Sequence, residues 1–163
     1  MKVVKKQNNS DYCLICGVNN PAGLNAQFYE MEDKTIVAKV NFKKEHQSYP
    51  NRVHGGMISA LLDELVGRAI WIYDPNQWGV TMQLNVKFRK PVPYDTDLKA
   101  VGKIDNQTSR TFLGSGKILD SQGNILAEAT ATYMKLPIEQ ITQIDGCKTA
   151  TEVYIPDNIT NIE

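Results

Sequence analysis

The sequence predicts an α+β fold: an antiparallel sheet of about six strands wrapped around one long central helix. Three observations predict it. From Met57 to Ile72 the apolar residues fall all round a helix rather than on one stripe, and a helix apolar on every side is buried on every side. Gly79 to Lys90 (GVTMQLNVKFRK) alternates with a period of two, the signature of a strand with one buried face. Finally, the strand-like segments fall two before the helix and four after it, with no further long helix among them. A sheet can cover one side of such a helix, and the other side needs a second layer. A second copy of the chain supplies that layer most simply, as a homodimer or a pair of dimers.

Residues 1–12 are polar and lysine-rich and read as a flexible arm. Asn19-Asn20-Pro21-Ala22-Gly23 is a dense turn signal. Leu24, Ala26 and Phe28 then alternate with polar neighbours as a short strand. Glu32-Asp33-Lys34 turns the chain into a second strand, with Ile36, Ala38, Val40 and Phe42 on one face. Lys43 to Val53 is a polar loop. The helix follows and stops at Asp74-Pro75, because proline cannot continue it.

In the third strand Val80, Met82, Leu84, Val86 and Phe88 share one face, and Thr81, Gln83, Asn85, Lys87 and Arg89 share the other. Pro91-Val92-Pro93 breaks it. Leu98–Ile104, Thr111–Leu119 and Ile125–Lys135 complete a four-strand antiparallel meander. Gly114 and Gly116 suggest a bulge or a close backbone approach. Ala127, Ala129, Ala131 and Tyr133 form a face of mostly small side chains with room for the helix. The domain therefore spans 13–136, and residues 137–163 form a tail with no predicted structure.

Composition narrows the function. The 163 residues are 42% apolar and 22% charged, with zero formal net charge, enough chain for one real core. Zero net charge argues against nucleic acid or an anionic membrane as partner. No apolar run reaches the roughly 18 residues of a membrane span, and the N-terminus has no signal-peptide core. The expected location is the cytoplasm. Cys13, Cys16 and Cys147 are too few and too odd in number for a disulfide framework. Cys13-Leu14-Ile15-Cys16-Gly17 is a lone CxxC: half a zinc site without its other half, or a redox pair without a βαβ context. The cysteines read as structural thiols, and no metal site is predicted.

The helix carries the chemistry. Glu64 and Arg68 are four apart in the favourable acid-first order, so Glu64 has a partner. Asp63 has none on the helix. It shares its face with Ser59 and Gly67, which leave space beside the carboxylate for water, a substrate, or a basic partner from elsewhere. At the other end, His54-Gly55-Gly56 presents bare backbone N–H groups at a helix N-terminus, fit to hold a phosphate or a polarised carbonyl oxygen. Asp63 lies seven residues beyond Gly56, about 10 Å along the axis. The two groups of one helix do not easily reach one atom. Two helices packed across a dimer axis do.

HGGMISALLDE, with Asp63 nine residues after His54, resembles the hot-dog-fold acyl-CoA thioesterases of the phenylacetate-pathway (PaaI-like) group. The likeness covers about residues 13 to 136. The Cys-x-x-Cys-Gly and Asn20-Pro21-x-Gly23-Leu24 opening and the Gly79-Val80-Thr81 to Arg89-Lys90-Pro91 strand resemble the same group.

The resemblance implies a hot-dog fold and hydrolysis of an acyl- or aroyl-CoA thioester. It implies that Gly56, with Gly55, holds the thioester carbonyl, and that Asp63 of the neighbouring subunit is general base or nucleophile. Thr81 would place the water, and His54 would shape the turn and contact substrate, with Ser59 beside the site. Where some relatives carry Asn or Gln six residues before the HGG, this sequence has Ser48; Asn51 is nearer, outside that spacing. Coenzyme A enters only as part of the substrate, with no other cofactor. Its phosphates suggest a basic patch of Lys87, Arg89, Lys90, Lys103 and Arg110, of which Arg89, Lys90 and Arg110 are the main candidates.

Two other readings stand beside this one. A hot-dog hydratase or dehydratase needs a His paired with an acid at another spacing, and neither His46 nor His54 fits. A non-catalytic acyl-CoA sensor usually adds a DNA-binding helix-turn-helix, and the first 24 residues leave no room for one.

Overall fold

The computed structural model describes residues 1–142 and 153–162; Cys147 lies outside them. Among these described residues, one seven-stranded antiparallel sheet runs in the order β1-β2-β3-β5-β6-β7-β4. The strands are β1 (Val3–Lys6), β2 (Gln27–Met31), β3 (Ile36–Asn41), β4 (Trp78–Phe88), β5 (Asp97–Gln107), β6 (Thr111–Leu119) and β7 (Ile125–Leu136). Helix α1 (Gly55–Arg68) lies on the sheet and tightens into a 3-10 turn at Ala69–Ile72. Among the described residues no helix is long and apolar enough to cross a membrane.

The α+β architecture is the predicted one, with three corrections. Residues 1–12 are no flexible arm, since β1 pairs with β2. The first predicted strand starts later. Leu24 and Ala26 are buried, but their N–H groups donate to the carbonyls of Leu14 and Ile15, and Asn25 takes a left-handed φ of 50°. Only β5, β6 and β7 form the meander. β4 crosses to the far edge and pairs with β7 over Trp78–Phe88, while β5 follows β3. Alternation shows which side chains share a face but not which strand lies alongside.

The described part of the tail closes the β1 end. A short helix, α2 (Ile138–Thr142), follows β7. Residues 153–162 then return along the N-terminus through bridges Asn9–Val153 and Lys2–Asn161. Lys6 Nζ donates to Ile155 O at 2.6 Å and to Asp157 Oδ2 at 2.8 Å, and Tyr29 OH donates to the same carboxylate at 2.7 Å.

Small residues seat the helix. A Cβ on Gly116 would come within 2.9 Å of Val66 and 3.2 Å of Leu65, and one on Gly102 within 3.0 Å of Leu65. The close approach predicted at Gly116 is therefore α1 pressing on the sheet. Leu61, Leu62, Leu65 and Val66 are fully buried there, each contributing roughly 1.5–3 kcal/mol. This seat fixes the axis of α1, and with it the heights of His54 and Asp63.

Candidate active site

Asp63 sits half-buried on the flank of α1 that faces β4 and β7. Thr81 Oγ1 donates to its Oδ1 at 2.9 Å. Tyr133 OH lies 3.0 Å from the same oxygen and 2.9 Å from the Asp63 carbonyl. Oδ2 has no hydrogen-bond partner among the described residues. The carboxylate is thus anchored through one oxygen and open at the other. A pocket of about 100 Å³ adjoins it, lined by Gly67, Trp71, Trp78 and Gly79 among others.

Tyr133 is the residue the sequence reading missed. Alternation places it on the small-residue face of β7 and says nothing of its hydroxyl. A buried tyrosine needs a partner for its O–H, and that need was the available signal. Its ring lies 3.3 Å from where a Cβ of Gly67 would stand, so Tyr133 fills the space left beside Asp63. Burial pushes the Tyr133 phenol far above its ordinary pKa, and the charge of Asp63 adds to that. The phenol therefore remains a donor.

Thr81 reaches Asp63 because β4 is bulged. Strict alternation put Thr81 on the polar outer face. The register slips between Thr81 and Gln83, leaving Met82 as the extra residue. Ahead of the bulge, Gly79 and Thr81 face the helix; beyond it, Leu84 and Val86 do. The predicted face of Val80, Met82, Leu84, Val86 and Phe88 is thus split, and Met82 stands 57% exposed.

The other predicted residues gather at the start of α1. His54 is the N-cap, and its Nδ1 accepts the Gly56 N–H at 2.8 Å. The N–H that the resemblance assigns to a carbonyl therefore has the exposed His54 ring as its partner here. Ser59 Oγ donates to Gly55 O at 2.8 Å, and the Phe88 ring approaches Gly55. Asn51 takes a left-handed φ of 62° and accepts from Tyr94 OH at 3.4 Å. The chain brings Thr81 to Asp63 and His54 to Gly56, but does not bring these two groups together.

The basic residues do not form one patch. Arg89 is paired with Glu128 at 2.5 Å. The N–H groups of Arg89 and Lys90 both donate to Leu126 O, whereas Arg110 O accepts from Lys135 N. Nine residues of β7 separate these points, about 30 Å, so Arg110 is at the opposite end of the sheet. Lys87 and Lys103 line a groove of about 560 Å³ on the sheet face turned away from the helix.

His46 is buried and structural. Its Nδ1 accepts from Lys43 N at 3.0 Å, which makes Nε2 the protonated nitrogen, 3.0 Å from Ala22 O. It is not available to a hydratase. Arg68 meets Glu64 at 2.7 Å as predicted, and stacks on Phe28 and Trp71.

Residues 51–127 match the thioesterase superfamily. An uncharacterized protein of Schizosaccharomyces pombe is 30% identical over 97 residues, 60% of this chain and 55% of the relative. The chain therefore spans about half the length of that curated relative. A crystal structure of a thioesterase-superfamily protein aligns with a TM-score of 0.69 at 24% identity, covering 75% of this chain and 62% of that one. A Bacillus halodurans protein solved with CoA aligns at 0.60 and 30% identity, over 67% of this chain and 72% of its own. Residues 51–127 thus belong with the thioesterase superfamily by this match, and the chain has the hot-dog architecture.

Proposed function

We propose that the protein hydrolyses the thioester of an acyl- or aroyl-CoA at sites formed between two copies of the chain. One observation carries this reading: β4, the edge strand, has the two halves of a site at its two ends. The Phe88 ring lies beside Gly55 at the helix start, and Thr81 holds Asp63. A long unpaired edge with exposed apolar side chains is a ready pairing surface, and Met82 and Phe88 are 57% and 56% exposed. Antiparallel pairing of β4 with its copy, with the two-fold between Leu84 and Asn85, sets Phe88 opposite Thr81. The N-terminus of each α1 then faces the other's Asp63, as an isologous contact requires.

The mechanism follows from the two ends. The thioester carbonyl takes the Gly56 N–H in place of the His54 ring, and the helix dipole stabilises the charge that develops on its oxygen. Oδ2 of Asp63, held by Thr81 and Tyr133 through Oδ1, acts as base toward water or as nucleophile. The bond to the CoA sulfur breaks, releasing the acid and the thiol. The relative solved with CoA supports CoA as the carrier.

The test is release of free CoA thiol from a panel of acyl- and aroyl-CoAs by wild type and by Asp63→Ala. Release by wild type alone supports the reading. Equal release by both removes Asp63 from the chemistry, and release by neither favours a binding domain.

A further inference from the structure

The CxxC is built as more than a pair of structural thiols. Gly17 N donates to Cys13 O at 2.8 Å, and a Cβ on Gly17 would collide with the backbone of Tyr12 and Cys13. This tight turn draws the two sulfurs together: both Sγ atoms and a Glu64 carboxylate oxygen lie within 4.8 Å of one another. The N–H groups of Ile15 and Cys16 both point at Cys13 Sγ, at 3.3 and 3.4 Å. Arg68 Nη2 reaches Cys16 Sγ at 2.8 Å, and Ser10 Oγ lies 3.3 Å from it. Neutral thiols are weak acceptors. Donors aimed at both sulfurs suit a thiolate, first on one and then on the other. Cys16 is 1% exposed while Cys13 is half-buried, so an outer and an inner sulfur are distinguished.

We propose that Cys13 and Cys16 form a thiol–disulfide exchange site, Cys13 attacking and Cys16 resolving, with a low-molecular-weight disulfide as co-substrate. The Cys13 thiolate attacks one sulfur of the disulfide R–S–S–R. The S–S bond breaks, RS⁻ leaves and takes a proton from water, and a mixed disulfide forms on Cys13. Cys16, held by Arg68, then attacks Cys13 Sγ; its proton passes to the departing RS⁻, which leaves as the second thiol. Two protein thiols are oxidised by two electrons, and the small disulfide is reduced to two thiols. The site does not rest on the thioester reading.

Electrostatics agrees with this order. Donation from Cys16, ahead of the opposing effects of burial and Glu64, lowers the Cys13 thiol to about 6. The same sharing and burial raise Cys16, against the pull of Arg68. An attacking thiol near ambient pH is the effective one. The three atoms that could hold a divalent cation already face Arg68, whose guanidinium touches both Cys16 and Glu64.

The experiment uses the full chain with Cys147→Ser as parent, treated with oxidised glutathione and read by intact mass and peptide mapping. The expected product is an internal Cys13–Cys16 link with two thiols released per chain. Cys16→Ser traps glutathione on Cys13, and Cys13→Ser blocks the reaction. In the parent, iodoacetamide labelling of Cys13 rises with a midpoint near pH 6, set by Cys16, Glu64 and Arg68 around it. The proposal is overturned if Cys13 stays unmodified and labels only in the range of an ordinary thiol, or if zinc bound as purified masks both thiols until a chelator removes it.

Discussion

The Tyr133 hydroxyl bridges the carbonyl and a carboxylate oxygen of Asp63, at 2.9 and 3.0 Å, and so ties β7 to the acid on the helix. The ring is stacked on Phe112 at 4.7 Å, so removing only the hydroxyl leaves the packing in place. Tyr133→Phe is expected to lower kcat roughly tenfold with little change in KM, the loss of about one hydrogen bond in orienting the acid. Steady-state kinetics on the preferred acyl-CoA checks it.

Asp63→Asn keeps the shape and removes the base. The expected loss in kcat is roughly 100-fold or more, with the fold intact by circular dichroism. Thr81→Val is expected to fall between this variant and Tyr133→Phe, because it removes one donor to Oδ1 and leaves the other.

Arg68 carries a different weight. It is 4% exposed, bonded to Glu64, Asn8 and Cys16. Burial opposes its charge, and Glu64 and Cys16 overcome that and hold it above its ordinary pKa. Glu64→Ala leaves that cation short of its carboxylate, and breaking a buried pair by removing one partner costs about 3–5 kcal/mol. Because Glu64 is partly exposed, the lower end is expected, measured by urea unfolding.

The strap over β1 responds to acid. Burial raises Asp157, but the bonds from Lys6 and Tyr29 outweigh it and hold the carboxyl below its usual 3.8. A lowered folded-state pKa means the contribution is present above the unfolded value and lost as pH falls through the folded one. Amide exchange in residues 153–162 is therefore expected to accelerate below about pH 4, relative to β5–β7. Asp157→Asn is expected to show the faster exchange already at neutral pH.

The helix was legible because nothing about it depends on distant pairing. Its all-round apolar surface and the four-residue spacing of Glu64 and Arg68 are local facts, and both hold in the structure. The same spacing isolated Asp63. What it could not supply was Tyr133, seventy residues away, or the bulge at Met82 that turns Thr81 toward the acid. A bulge leaves no mark on a strand whose residues keep alternating. The strand at Val3–Lys6 was missed for a similar reason. Its support comes from β2 and from residues 153–162, not from its own short run. Arg110 parts from Arg89 and Lys90 because charge near a strand end does not say which end.

The central claim is that the Gly56 end of one subunit works with Asp63 of the other. Two defective variants test it. Gly56→Pro removes the N–H while proline is tolerated in the first helical turn, and Asp63→Ala removes the acid. Each is expected to be inactive alone. Unfolded and refolded together at equal amounts, they should regain about a quarter of wild-type activity, since half the dimers are mixed and each mixed dimer rebuilds one of two sites. If the mixture stays as inactive as the parents while mixed dimers form, both groups act within one chain and the account is wrong.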